Sequence, residues 1–207
     1  MVPEVLKKFI VFEGIDGTGT TTQLKRLEAR CTAEQIPVWF TCEPTDSEIG
    51  KLIRAVLKGT LPYHAETLAY LFAADRVEHV LGSHGIINSC KNNIPVISDR
   101  YVFSSLAYQG LTCGETLIQR LNGYFPLPEL LFYFSLEPET AGARIAHRET
   151  KEIFEVLSFQ SQVKQKFETI LAHYKHSGMH IHIIDAQKTP DLIEDEIWET
   201  CAAILKH

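Results

Sequence analysis

The order of apolar and helical segments predicts an α/β fold, a five-stranded parallel sheet wrapped by helices. Three observations carry the prediction. Short, almost wholly apolar runs recur along the chain and alternate with segments of helical period. The runs do not alternate apolar with polar, which is how strands covered on both faces read. A glycine-rich turn joins the first run to the first helix, so the binding crevice is expected at the carboxyl ends of the strands.

The first strand is expected over Phe9–Phe12, ending at Glu13-Gly14, and Gln23 to Arg30 reads as an amphipathic helix. Pro37 to Phe40 is the second strand. Thr45-Asp46-Ser47-Glu48 has capping-box spacing, so a helix is expected from there towards Lys58-Gly59. Glu66 to about Leu81 is helical by period, with Leu68, Leu71, Phe72 and Val80 apolar, and a second helical piece continues to about Asn93. Pro95 to Ile97 is the third strand, ending at Ser98-Asp99-Arg100, and Leu130 to Leu136 the fourth. Pro138 suits the first position of the next helix. A charged stretch, 148 to 155, leads into a long helix reaching about His176. His180 to Ile184 is the fifth strand, and Thr189-Pro190 caps a last helix through Leu205.

The chain has 207 residues and a formal net charge of −6, with 45% hydrophobic residues. One domain over residues 1–207 is expected, with a real core rather than disorder. An acidic balance argues against a nucleic-acid polymer as partner. The five cysteines (Cys31, Cys42, Cys90, Cys113, Cys201) are odd in number and form no C-x-x-C, which predicts reduced thiols rather than a disulfide framework or a zinc cluster. His180 and His182 take alternate strand positions and read as structural. The first apolar run is too short for a signal peptide or a membrane span, so a cytoplasmic protein with no membrane partner is expected.

After the first strand comes Gly14-Ile15-Asp16-Gly17-Thr18-Gly19-Thr20-Thr21, followed by Thr22. The phosphate-loop pattern is G-x-x-x-x-G-K-[ST]; Gly14, Gly19 and Thr21 fill their places, and Thr20 stands at the lysine. The loop binds phosphate chiefly through converging backbone N–H groups and a helix N-terminus, with Thr21 offering its hydroxyl to Mg²⁺. Thr20 supplies one neutral donor but no mobile charge. Losing one well-placed donor costs roughly 10²–10³ in rate.

Four further segments make the chain resemble the thymidylate kinase family, bacterial type, with an atypical phosphate loop. These are Phe12-Glu13-Gly14-Ile15-Asp16-Gly17, then Glu43-Pro44, then Leu71 to Arg76 (LFAADR), and Asp99-Arg100-Tyr101 with Ser104-Ser105-Leu106-Ala107-Tyr108-Gln109-Gly110. The resemblance covers essentially the whole chain and implies a phosphate-loop nucleoside monophosphate kinase fold, strand order 2-3-1-4-5, and a short lid at about 142–155. It implies Phe72 stacked on thymine and Arg76 donating to a thymine carbonyl; apart from the resemblance, Phe72 reads as core and Arg76 as a surface ion pair with Asp75 or Glu78. It places Arg100, and a second arginine, Arg54, on the acceptor phosphate. Ser104 joins that site, Ser105 and Gln109 read the base edge, and Tyr108 crowds the sugar. Asp16 would hold the sugar 3′-hydroxyl or the Mg²⁺ network, Asp99 with Thr21 the metal, and Glu43 the acceptor phosphate or the metal waters.

The chain departs from the family at Thr20, at Cys42 where an arginine is usual, and at Glu152-Ile153 ahead of Phe154-Glu155. Gly17 resembles enzymes that draw a catalytic cation from the lid; Arg144, Arg148 or Lys151 is then expected to replace the charge missing at Thr20. Arg144 is expected on ATP, and Arg148 with Asp16, Asp99 and Arg100 in catalysis. The resulting expectation is transfer of the ATP γ-phosphoryl group to dTMP with Mg²⁺, by a homodimer, in dTTP synthesis. The alternative is an impaired relative acting as a nucleotide-binding sensor or scaffold.

Overall fold

The computed structural model describes residues 3–147 and 152–206. Five strands form one parallel sheet in the order β2-β3-β1-β4-β5. They are β1 (Val5–Gly14), β2 (Trp39–Cys42), β3 (Val96–Asp99), β4 (Leu127–Ser135) and β5 (His180–Asp185). Among the described residues the helices are α1 (Thr20–Ala33), α2 (Glu48–Leu57), α3 (Ala65–Leu81), α4 (Ile86–Lys91), α5 (Val102–Cys113), α6 (Glu115–Asn122), α7 (Pro138–Ile145), α8 (Leu157–Tyr174) and α9 (Pro190–Lys206). The predicted α/β class and strand order are those observed.

The central strands behave as apolar runs should. Phe9, Ile10, Val11, Phe12, Leu130, Leu131, Phe132 and Phe134 are fully buried. Phe12 meets Phe132 edge-on at 5.3 Å between ring centres. Each such side chain taken from water is worth about 1.5–3 kcal/mol, which is why this strand pair anchors the sheet. The edge strands β2 and β5 are only partly covered.

Several element bounds differ from the sequence expectation. β1 starts four residues earlier because Val5 and Leu6 also pair with β4; an irregularity lies between Leu6 and Ile10, and Lys7 turns its charge out to Glu129 at 2.9 Å. β2 starts two residues later, where Trp39 N–H reaches the Pro95 carbonyl at 2.9 Å; Pro37 has no N–H to give. The α2 cap is Ser47, which accepts from Gly50 N–H at 3.0 Å, and not Thr45. Thr45 lies two residues further out: its hydroxyl accepts from Ser47 N–H at 3.2 Å and, like that of Ser47, donates to Asp75. The helical piece after α3 is a separate short helix, because Gly82 and Gly85 interrupt it. Periodicity predicts no helix between β3 and β4, where the structure has α5 and α6. Every loop that follows the C-terminal end of β1, β2 or β3 opens on one side of the sheet, as parallel strands require.

Candidate active site

A cavity of about 640 Å³ opens at that carboxyl edge. Its floor is the turn after β1. Gly17 and Gly19 have φ of 90° and 94°, values that other residues rarely adopt. A Cβ on Gly17 would sit 2.3 Å from the Ala141 carbonyl oxygen, so this position has no room for a side chain either. Gly19 caps α1 without a side-chain hydrogen bond, leaving the first-turn N–H groups directed at the cavity. Thr20, Thr21 and Thr22 begin that helix and line the cavity with Ile15, Asp16 and Thr18. Gly14 lies beneath, its carbonyl accepting from Arg100 Nη1 at 3.2 Å.

Thr21 Oγ1 donates to Asp99 Oδ2 at 2.6 Å, tying α1 to the end of β3. The other oxygen, Asp99 Oδ1, is buried and has no hydrogen-bond partner. An unpaired buried carboxylate oxygen is costly, and a cation would relieve it. One carboxylate and one hydroxyl are hard oxygen donors of the kind Mg²⁺ takes from protein when phosphates and water supply the rest. The described residues hold no group of three or more His, Cys, Asp or Glu able to form an all-protein metal cage.

Arg100 stands over the loop in the left-handed region, with φ 70°. Nη2 meets Asp16 Oδ1 at 2.5 Å, Nη1 donates to Ser104 Oγ at 3.0 Å, and the guanidinium lies 5.4 Å from the Tyr108 ring centre. Burial opposes its charge, but Tyr108, Asp16, Asp99 and Glu13 outweigh this and hold the pKa raised. The unusual backbone is held from below. Arg100 N–H donates to Phe12 O at 2.9 Å, while Glu13 accepts from Tyr101 N–H at 2.9 Å, Ser104 N–H at 3.0 Å and Ser104 Oγ at 2.6 Å. Glu13 is fully buried, and burial pushes its carboxyl up to about 7 against the pull of Arg100, Ser104 and Tyr101.

Phe72, Arg76, Ser105, Tyr108 and Gln109 also line the cavity. Phe72 packs beside Ile53, Leu57 and Leu68 and stays partly open. Arg76 is no surface ion pair with Asp75 or Glu78: it is 1% exposed. Nη2 meets Glu43 Oε2 at 2.6 Å and Ser105 Oγ at 3.0 Å, and Nη1 donates to Asn122 Oδ1. Glu43 Oε1 takes a ring N–H from His79 Nδ1 at 3.0 Å, and His79 Nε2 faces the Thr41 hydroxyl at 2.8 Å. Burial raises the Tyr108 phenol pKa, so it is a neutral wall of the site. Arg54 lines the cavity with its guanidinium on the Pro44 carbonyl at 2.5 Å and also on the Thr45 carbonyl. Cys42 lies 3.7 Å from Arg54, and burial first of all raises its thiol pKa against the pull of that guanidinium.

Arg144 lines the far side and donates to the Ala186 carbonyl at 2.8 Å. Arg148 and Lys151, the other two candidate cations, lie outside the described residues. All other expected site residues line the cavity except Gly14 and Asp99, which underlie it. Sequence reasoning missed four residues here. Glu13 and His79 carried a signal: an acid at the buried end of an apolar strand, and a histidine one turn after Arg76. Lys188, from the loop after β5, lines the cavity and pairs with Glu196 at 2.8 Å. Gln160 on α8 carried none. Its Nε2 donates to Asp16 Oδ2 at 2.7 Å and to the Phe154 carbonyl at 2.8 Å, while Oε1 accepts from Asp16 N–H at 3.2 Å and faces Tyr108 at 3.4 Å.

The family model described as Thymidylate kinase matches residues 12–197. A Treponema pallidum (strain Nichols) protein bearing the thymidylate kinase name is 43% identical over 196 residues, covering 93% of this chain and 94% of its own. The probable thymidylate kinase of Methanococcus vannielii is 39% identical over 197 residues, at 93% and 94% coverage. That of Methanocaldococcus jannaschii is 37% identical over 190 residues, at 91% and 93%.

Proposed function

The chain belongs to the thymidylate kinase family, and from that premise we propose that it transfers the γ-phosphoryl group of ATP to dTMP, giving dTDP and ADP. One observation carries the assignment: a phosphate loop and an arginine-lined acceptor pocket share one cavity of about 640 Å³. An oxygen of the dTMP phosphate attacks the γ-phosphorus as the bond to the β–γ bridging oxygen breaks, and ADP leaves with that electron pair. The attacking group is already an anion, so no strong general base is needed and catalysis is positioning and charge neutralisation.

Backbone N–H groups of residues 14–22 cradle the donor phosphates, and Arg100 clamps the acceptor phosphate with support from Arg54. Asp16 is shared between Arg100 and Gln160, which supports a role for it in orienting the arginine and the sugar. Phe72 and Tyr108 sandwich the deoxynucleoside, while Arg76, Ser105 and Gln109 face the base edge. Thr21 and Asp99 would hold Mg²⁺, which, when bound, neutralises charge between the β- and γ-phosphates. Arg144, Arg148 or Lys151 supplies the positive charge that Thr20 lacks. We take residues 1–207 as one kinase domain with a lid near 142–155, working as a homodimer in the cytoplasm; no described helix is long and apolar enough to cross a membrane.

The test is Mg²⁺-dependent ADP release from ATP with and without dTMP, on wild type and Arg148→Ala. Turnover that requires dTMP supports the assignment, and its absence overturns it. Full turnover in Arg148→Ala removes that arginine from catalysis.

A further inference from the structure

Arg76 is held in the cavity wall by a chain of side chains that leads back to the edge of the sheet. Arg76 and His79 are three residues apart on α3, so they project from one side of that helix. Both are buried, as is Glu43, which follows β2. The two oxygens of Glu43 are divided between them. Oε2 accepts from Arg76 Nε at 2.8 Å and from Nη2 at 2.6 Å, while Oε1 accepts from His79 Nδ1 at 3.0 Å. A carboxylate only accepts, so Nδ1 carries the hydrogen, and in the neutral ring Nε2 accepts from the Thr41 hydroxyl at 2.8 Å. Trp39 meets the ring edge-on at 5.7 Å between centres, so β2 holds His79 as well as supplying the residue that His79 holds.

The cavity wall includes Glu43 and Arg76 but not His79, so His79 can act on a bound molecule only through them. Its effect follows from what Glu43 does. Glu43 takes two N–H groups of the guanidinium and thereby fixes its plane. Ser105 Oγ at 3.0 Å and Asn122 Oδ1 each take one and are neutral. Without the Nδ1–H, Oε1 would be a buried anionic oxygen lacking a donor. The carboxylate would turn to find one, Oε2 would leave the guanidinium, and Arg76 would lose its fixed plane.

Resting on the reading of Arg76 as a donor to the thymine base, we propose that His79 is a positioning residue for the acceptor: its Nδ1–H locks Glu43, and through Glu43 the plane of Arg76, so that it governs how tightly dTMP is held without touching it.

The experiment replaces the two ring nitrogens one at a time. The amide of His79→Asn falls near the place of Nδ1 and keeps a donor for Glu43; that of His79→Gln falls near the place of Nε2 and keeps a partner for Thr41 only. Kinetics are measured with dTMP varied at saturating ATP, and with ATP varied at saturating dTMP. His79→Gln should raise the KM for dTMP about tenfold, the value of one hydrogen bond, while His79→Asn stays within about twofold of wild type. In both, kcat and the KM for ATP should hold, as for an interaction equally present in ground and transition states. The opposite order, with His79→Asn the weaker binder, overturns the proposal, because the ring then serves only to tie α3 to β2 through Thr41. An equal loss in both variants, or none in either, also overturns it. If neither variant folds, nitrogen NMR of the imidazoles in wild type decides: an Nδ1–H tautomer whose signal moves on addition of dTMP is expected, and an Nε2–H tautomer or an unmoved signal overturns the proposal. If wild type shows no dTMP-dependent turnover, it is the phosphoryl-transfer reading that fails; calorimetric binding of dTMP to wild type and both variants then tests His79 separately, with the same order expected in Kd and no binding at all overturning both readings.

Discussion

Glu13 makes the stability of this protein depend on pH in a way opposite to an ordinary ion-paired carboxylate. Its ordinary value of 4.5 is raised to about 7, chiefly by complete burial. The groups facing it are Arg100, Tyr101 and Ser104 at the start of α5 and Tyr133 on β4. The folded state therefore holds a proton on Glu13 across pH 4.5–7 where the unfolded chain has released it. Stability then falls as pH rises through this window and levels off above about 7. At 1.36 kcal/mol per pH unit, a shift of this size is worth about 3 kcal/mol. Glu13→Gln keeps an acceptor for the N–H groups of Tyr101 and Ser104 but cannot ionise. Other groups titrate in the same range, so the useful quantity is the difference between wild type and variant at each pH. Urea unfolding followed by the fluorescence of Trp39 and Trp198, without nucleotide, reads it. Relative to wild type, the variant should gain about 3 kcal/mol between pH 4.5 and pH 7.5. A difference that stays constant across that range would refute the reasoning, because it would mean Glu13 is ionised throughout or never.

The other predictions concern the site and its supports. Arg100→Lys keeps the charge but loses the two-pronged donor that spans Asp16 and Ser104; kcat/KM for dTMP should drop roughly 10²–10³-fold, read in steady-state kinetics with varied dTMP. Thr20→Lys should raise kcat at saturating ATP, because it restores a charge at a buried position of the loop; an unchanged kcat would mean that Arg144, Arg148 or Lys188 already fills that role. Ser47→Ala should destabilise the fold by at least about 1 kcal/mol in chemical denaturation, since its hydroxyl caps α2 and also bonds Asp75 at 2.7 Å. Glu43→Leu strands the Arg76 guanidinium without a counter-charge and should cost about 3–5 kcal/mol in the same assay.

The division between what was legible and what was not follows from the range of the forces involved. Continuous apolar runs such as Phe9–Phe12 and Leu130–Phe134 report burial on two faces, and that is a property of the residues themselves. The parallel sheet was therefore determined by the sequence alone. So was the phosphate loop, since glycine at positions 17 and 19 records a backbone that only glycine adopts easily. The acceptor residues were legible through the family motifs, which store the outcome of a fold already tried. Boundaries were less so: Pro37 and Pro95 set where the β2–β3 ladder could begin, but only the neighbouring strand decided it. Capping shows the same limit. Thr45 and Ser47 are equal candidates by local chemistry, and both donate to the distant Asp75, but where the helix starts makes Ser47 the one that accepts Gly50 N–H.

What only the tertiary structure decided are the contacts between residues far apart in the chain. Glu13 reaches Ser104, Asp16 reaches Gln160, Thr21 reaches Asp99, and Arg76 reaches Asn122. A glutamine or asparagine on a helix has the same local preference whether it faces water or a phosphate loop, so its own neighbourhood in sequence carries no mark of the partner. Burial is what gives such a group its role. It removes water as the alternative partner, and with water gone each donor and acceptor must find its match across the fold or stay unpaired, as Asp99 Oδ1 and Gln23 Oε1 do.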